Sequence, residues 1–150
     1  MHPNRKAFLD MIAFAEGTST CKASKHDGYD VIVGGTVFTD FSDHPRQLIT
    51  LNPRLKSTAA GRYQLLARYW DAYRKQLKLA DFSPASQDAV AIQQIREQKA
   101  LADVDAGRFA LAVDKCKNIW ASLPGAGYGQ REVPFHRLQA AYVAAGGVLA

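Results

Sequence analysis

The sequence has only two cysteines, Cys21 and Cys116, and four scattered histidines, His2, His26, His44 and His136. The cysteines form no CxxC pair, and no Cys/His cluster has zinc spacing, so no metal site is expected. No HExxH helix is present. The sequence also lacks GxxxxGK[ST] and GxGxxG, which removes phosphate-cradling chemistry, and no GxSxG turn presents a nucleophilic serine. Cys21 and His26 could form a nucleophile pair only on short spacing within a polar loop, which is weak ground for covalent catalysis. No stretch approaches the roughly 20 apolar residues of a transmembrane helix. Met1 to Asp10 lacks the continuous apolar core of a signal peptide, so a protein made and folded in the cytoplasm is expected. No internal repeat or low-complexity tract stands out, and no cofactor is expected.

What is present is enough for one domain over residues 1–150. Of the 150 residues, 47% are hydrophobic, and a chain of this length can bury a core without disulfides or metals. The formal charge is +5, which favours a polyanion: nucleic acid, anionic lipid, or bacterial wall with its acidic groups. The densest basic run, Arg68 to Lys78, is interleaved with Trp70, Tyr73 and Leu77. That pattern reads as the solvated side of an amphipathic helix rather than a nucleic-acid patch. Cys116 lies in an apolar helical stripe and is expected to be a buried free thiol. Cys21 lies in a polar loop, and nothing requires a disulfide between the two.

Periodicity predicts a first helix from Asn4 to Glu16, with Asn4 as N-cap and Phe8, Met11, Ile12 and Ala15 on one face. Gly17 is placed to terminate it. After a polar loop, Thr18 to Gly28, the runs 29–33 and 36–39 flank Gly34-Gly35 as a β-hairpin. Gln47 to Leu51 is a candidate third strand. A second helix is predicted over Ala60 to Leu77, with Leu66, Trp70, Tyr73 and Leu77 on one face. A third begins at Ser83-Pro84 and turns Ala85, Ala89, Ile92 and Ile95 inward. A fourth runs from Arg108 to Trp120, with Phe109, Ala112, Val113, Cys116 and Trp120 in register, and a last begins near Pro134. One helix, a small antiparallel sheet and then several helices make an α+β pattern. A cleft between a hairpin lobe and a helical lobe, with the end of the first helix at its floor, is the expected arrangement.

That placement makes Glu16 unusual. A carboxyl at a helix C-terminus meets the negative end of the macrodipole, and partial burial disfavours its charged form. Both push it toward the range of a general acid. Glycoside cleavage commonly adds a second carboxylate, for which Asp27, Asp30, Asp40 and Asp43 are candidates. Turn chemistry and solvation explain each of these aspartates equally well. Two further segments combine small residues with hydrogen-bonding or aromatic groups. Ser57 to Gln64 carries Arg62, Tyr63 and Gln64, and also suits a helix N-terminus capped by Ser57 or Thr58. Pro124 to Gln130 carries Tyr128 and Gln130 in a glycine-rich turn.

The runs Arg5–Met11 (RKAFLDM), Glu16–Thr18 (EGT), Gly28–Gly35 (GYDVIVGG), Ser57–Leu66 (STAAGRYQLL) and Asn118–Gln130 (NIWASLPGAGYGQ) closely resemble the lambda-type phage endolysins. The similarity covers nearly the whole chain. It is weakest over 19–27, around 98–117 and after Arg131. The resemblance implies a lysozyme-like fold, mostly helical, with a small antiparallel hairpin lobe beside an active-site cleft. It implies a lytic transglycosylase that cuts the β-1,4 bond between N-acetylmuramic acid and N-acetylglucosamine in peptidoglycan glycan strands, leaving 1,6-anhydro-muramic ends. The family's catalytic glutamate falls on Glu16. Ser57, Arg62, Tyr63, Gln64, Tyr128 and Gln130 are then sugar contacts, and Asp30 has a structural or binding role. Trp120 lies on the stripe of the fourth helix, which points to core packing instead. The resemblance also implies a monomer without cofactor or metal. It would be held in the host cytoplasm until a separate holin-type partner releases it to the wall in the periplasm, with no stable membrane insertion and no nucleic-acid partner. The competing readings are a muramidase pairing Glu16 with a hairpin aspartate and a non-catalytic wall-binding protein. Nucleic-acid binding rests on the net charge alone.

Overall fold

The computed structural model describes all residues from 1 to 150. In chain order the elements are α1 (Pro3–Glu16), β1 (Ile49–Asn52), β2 (Leu55–Ser57), α2 (Ala67–Leu77), α3 (Pro84–Glu97), α4 (Leu101–Asp105), α5 (Phe109–Cys116) and α6 (Phe135–Ala144). The protein is mostly helical, with one two-stranded antiparallel sheet. Contacts divide the chain into two compact units, residues 1–16 with 91–150, and residues 17–90.

In the first unit, α1 packs on α6 and α4. Its buried face is wider than the predicted stripe, because Ala7, Leu9 and Ala13 join Phe8, Met11, Ile12 and Ala15. The α5 stripe Phe109, Ala112, Val113 and Cys116 is buried as predicted. Phe109 is the hub of an aromatic cluster, with ring centroids 4.5 Å from Tyr142, 5.6 Å from Phe135 and 6.1 Å from Phe8. Phe8, Phe109 and Tyr142 are buried while Phe135 stays exposed at the edge of the cluster, and fully burying an aromatic ring such as Phe8 contributes roughly 1.5–3 kcal/mol. Trp120 is buried in the core, but it lies beyond the end of α5, where the chain leaves the helix in a turn closed on the Cys116 carbonyl.

Asn4 is not the N-cap. It lies inside α1 and is buried, its amide donating to the Asp105 carbonyl at 3.1 Å and accepting from the Val148 N–H at 3.0 Å. The capping falls to His2, whose Nδ1 accepts from the Asn4 N–H at 3.0 Å. Pro3 then occupies the first helical position, where its missing N–H costs nothing.

The second unit is built around Trp70 and Phe82, packed with Ile32, Phe38, Ala60, Leu65 and Val90. The predicted hairpin over 29–39 is reduced to one bridge, Val31 to Val37. Ile32 pairs instead with Ala60, and Phe38 turns inward to the aromatic core. The ladder forms later, between β1 and β2, with Ile49 opposite Ser57 and Thr50 opposite Lys56. The candidate third strand is therefore half of the sheet.

α2 begins at Ala67 rather than Ala60. Residues 60–66 form a tight loop in which Gly61 (φ 84°) and Gln64 (φ 54°) are left-handed, a conformation that no α-helix tolerates. Thr58 caps α2 across this loop, its Oγ1 accepting from the Ala67 N–H at 3.0 Å. α3 starts at Pro84 after Ser83 as predicted, but its inward face is displaced. Ser86, Gln87, Val90, Ala91, Gln94 and Ile95 are buried, and Ala85 is exposed. The buried Gln87 donates to the Tyr29 and Phe82 carbonyls at 3.1 and 3.0 Å and accepts from the Arg62 N–H at 2.8 Å. A loop-bracketing amide there outweighs an all-apolar stripe.

Candidate active site

Glu16 is the last residue of α1. Gly17, at φ 79°, ends the helix in the left-handed conformation that glycine adopts without strain. The Glu16 side chain is half-buried, and that burial raises its carboxyl above the ordinary value. Two groups pull the other way without cancelling that effect. The Ser122 hydroxyl donates to Oε2 at 2.6 Å, and the Arg131 guanidinium adds a positive charge. Arg131 also donates to the Ala15 carbonyl at 3.0 Å, one of the acceptors left open at a helix C-terminus.

Ser122 and Arg131 flank the glycine-rich turn. Its base is fixed: Leu123 is fully buried, and the Val133 N–H donates to the Ser122 carbonyl at 2.8 Å. The Glu132 carboxylate accepts from the N–H groups of Gly125 and Gly127 at 2.9 and 3.3 Å. Tyr128 and Gln130 are exposed. Glu16, Ser122, Tyr128, Gln130 and Arg131 therefore belong to one unit. Sequence reasoning missed Ser122 and Arg131, although both border the turn it singled out.

The other site candidates belong to the second unit. Ser57 ends β2, half-buried, with its Oγ accepting from the Ala59 N–H at 3.1 Å. Gln64 is half-buried and donates to the Val31 and Gly61 carbonyls at 3.3 and 2.9 Å.

Arg62 and Tyr63 depart from the expectation of sugar contact. They are only 4% and 5% exposed. The Arg62 guanidinium lies over the Tyr29 and Tyr63 rings, 5.2 and 5.7 Å from their centroids. It also donates to the Asp27 carbonyl at 2.8 Å. The Tyr63 and Tyr29 hydroxyls both donate to Asp88 Oδ1, at 2.6 and 2.8 Å. Side chains this enclosed brace the loop from within rather than offer a face to a polymer.

Asp30 is buried, accepting from the Ser24 hydroxyl and from the Lys25 N–H at 3.0 Å. Burial works to raise its carboxyl, but these bonds prevail and hold it below the ordinary range. Asp43 is held far below that range, first by Arg46 at 2.8 Å, and also accepts from the Trp70 indole N–H at 2.9 Å. Asp40 accepts from the Ser42 N–H at 2.9 Å, and Asp27 pairs with Arg62 at 3.4 Å. No three His, Cys, Asp or Glu side chains gather as a metal-binding group.

The endolysin family model matches residues 6–149. The chain belongs to the endolysin family. It is 64% identical over 146 residues to the endolysin of Escherichia phage lambda, covering 97% of this chain and 92% of that protein. It is 55% identical over 157 residues to the endolysin of Escherichia phage P2, covering 98% and 95%. Among solved structures it matches bacteriophage lambda lysozyme complexed with a chitohexasaccharide. The TM-score is 0.97 at 62% identity, over 100% of this chain and 98% of that one. A second structure of lysozyme from bacteriophage lambda matches with TM-score 0.93 at 60% identity, over 100% of this chain and 98% of that one. The endolysin fold here is thus lysozyme-like, and the chain is an enzyme of cell-wall lysis.

Proposed function

We propose that this endolysin is a peptidoglycan lytic transglycosylase with Glu16 as its single catalytic acid and base. The observation that carries the reading is the environment of Glu16, a carboxyl raised by burial at a helix end and oriented through one oxygen by Ser122. A protonated Glu16 gives its proton to the glycosidic oxygen as the bond between the muramic C1 and that oxygen breaks. The ionised Glu16 then takes the proton of the substrate's own C6 hydroxyl while O6 bonds to C1. The products are a 1,6-anhydro-muramic end and a free N-acetylglucosamine hydroxyl, and no water is consumed. An internal nucleophile requires no second carboxylate. The structural engagement of Asp30 and Asp43 supports this reading over a hydrolase that pairs either with Glu16.

The substrate is the β-1,4 bond between N-acetylmuramic acid and N-acetylglucosamine. Tyr128, Gln130, Ser57 and Gln64 are proposed as sugar contacts. Arg62, Tyr63 and Asp30 are proposed to hold loops behind them. The family match runs through both units, in keeping with one catalytic domain over 1–150 that works as a monomer. No helix is long and apolar enough to cross a membrane. Release from the host cytoplasm to the periplasmic wall is assigned to a separate holin-type partner.

Mass spectrometry of muropeptides released from purified peptidoglycan tests the mechanism. Anhydro-muramic ends, lighter by one water than reducing ends, are expected. Reducing ends would replace this reading with a muramidase.

A further inference from the structure

The mechanism above uses Glu16 and leaves unexplained why an arginine closes the glycine-rich turn. Arg131 follows the exposed Gln130 and is followed by Glu132, which is occupied in bonding Gly125 and Gly127. Its guanidinium reaches back to the Ala15 carbonyl at 3.0 Å, one residue before Glu16. A cation at this place interacts favourably with the negative end of the α1 dipole. Arg131 is itself exposed and Glu16 half-buried, and the positive charge beside the end of α1 favours the ionised form of the Glu16 carboxyl, an attraction that salt screens.

We infer that Arg131 is a positioning residue, which clamps the far end of the glycine-rich turn onto the last turn of α1 and so couples the docking of that turn to whether Glu16 holds its proton. With the turn docked, the positive charge makes Glu16 the stronger acid and the readier donor. With the turn lifted, Glu16 keeps its proton to higher pH. Tyr128 and Gln130 ride on the same turn, so a glycan strand that engages them also acts on the acid.

The other charged groups around Glu16 do not duplicate this role. From α6, Arg137 lies over the Phe14 ring, 5.4 Å from its centroid. From α4, Asp105 is bound to Arg5 at the far end of α1, at 2.7 Å. On α1 itself, Asp10 is paired with Lys6 at 2.8 Å. Ser122 is uncharged and holds Oε2 from the near end of the turn.

The inference concerns the same glutamate as the proposed mechanism and rests on that reading for its catalytic consequence, so two readouts are needed. Carbon-13 NMR titration of the Glu16 carboxyl in the free enzyme tests the coupling without any turnover. Arg131→Gln is expected to move that titration to higher pH, and Arg131→Lys, which keeps the charge, is expected to restore most of the difference. An unchanged Glu16 titration in folded Arg131→Gln overturns the inference. If Arg131→Gln does not fold, Arg131→Lys and the salt dependence of the wild-type titration decide. Added salt should screen the cation and raise the Glu16 titration, and insensitivity to salt overturns the inference. The second readout is the alkaline limb of kcat/KM. It should move upward with the NMR titration, whereas a merely looser turn would lower activity at every pH and leave the limb in place. An NMR shift with a stationary limb upholds the coupling and counts against Glu16 as the catalytic acid.

Discussion

Ser122 Oγ donates to Glu16 Oε2 at 2.6 Å, and this bond favours the ionised carboxylate against the burial that opposes it. Ser122→Ala removes the donor while leaving the half-buried carboxyl in place. The variant is expected to hold its proton to higher pH and to be a poorer donor. Its alkaline limb should rise and its kcat should fall, with little change in KM. A rise in KM alone would make Ser122 a substrate contact instead.

Glu16→Gln should lose about 10²–10⁴-fold in kcat, the usual worth of a positioned general acid and base. Its stability should move the other way. The folded state raises the Glu16 carboxyl above its ordinary value of 4.5, so the folded protein binds this proton more tightly than the unfolded chain. The associated stability is full below about pH 4.5 and is lost as pH rises through the folded value. Glu16→Gln escapes that loss. It should melt higher than wild type at neutral pH, with the gap closing below the ordinary value. Thermal unfolding at both pH values checks the sign.

Tyr63→Phe separates bracing from sugar contact. The variant keeps the ring under Arg62 but takes from Asp88 one of its two tyrosine donors. The expected cost is about 1.5–3 kcal/mol of stability, the usual worth of a hydrogen bond to a charged group, with kcat and KM of the folded enzyme retained. A raised KM without a stability loss would return Tyr63 to the sugar. In the native wild type, the companion Tyr29 phenol should resist ionisation until about pH 12, chiefly because it is buried. Ultraviolet titration reads this directly.

The two thiols should behave differently. Cys116 is fully buried in the α5 stripe, and burial pushes its thiol up to about 12. Cys21 is half-buried in the loop after α1, and both are free. A thiolate-seeking reagent should modify Cys21 in the native protein and reach Cys116 only on unfolding. Rapid modification of both would mean that the α5 core opens far more readily than its packing implies.

Much of the helical framework was legible because its signals are local. The α1 stripe with Gly17 behind it, the Ser83-Pro84 start of α3 and the Phe109-to-Cys116 part of the fourth helix each depend on residues within a few turns of one another, although that helix stops short of the predicted Trp120. The errors came where distant partners decide. Tyr29 to Thr39 has the composition of a hairpin, yet Ile32 pairs with Ala60 and Phe38 is drawn to Phe82. The α2 start was placed seven residues early because the left-handed Gln64 carries no local mark, and its cap, Thr58, is nine positions upstream. At the candidate site, Glu16 could be singled out from helix-end physics, though resemblance was needed to choose it. Ser122 and Arg131 could not be found, since their contacts with the end of α1 span 106 and 116 residues. Arg62 and Tyr63 looked like exposed donors because nothing in their spacing reveals that Asp27, Tyr29 and Asp88 enclose them.

Gly61 tests how tightly this loop is braced. Its backbone is left-handed at φ 84°, and a Cβ built on it would lie 2.5 Å from Gln87 Oε1 and 3.0 Å from Phe82 Cζ. Gly35 is also left-handed, at φ 100°, but a Cβ there meets nothing within 4 Å. Gly35→Ala therefore bears backbone strain alone, about 1–3 kcal/mol for a non-glycine residue in that region. Gly61→Ala bears the same kind of strain and must also displace the Gln87 amide, which leaves the buried Arg62 N–H without its acceptor. The added loss should be about 1–3 kcal/mol, read as the difference between the two variants in chemical denaturation. Equal losses would mean that Gln87 moves aside at no cost and that the brace behind Arg62 and Tyr63 is slack. A clear excess for Gly61→Ala would tie the stability of the loop to the Gln87 bracket.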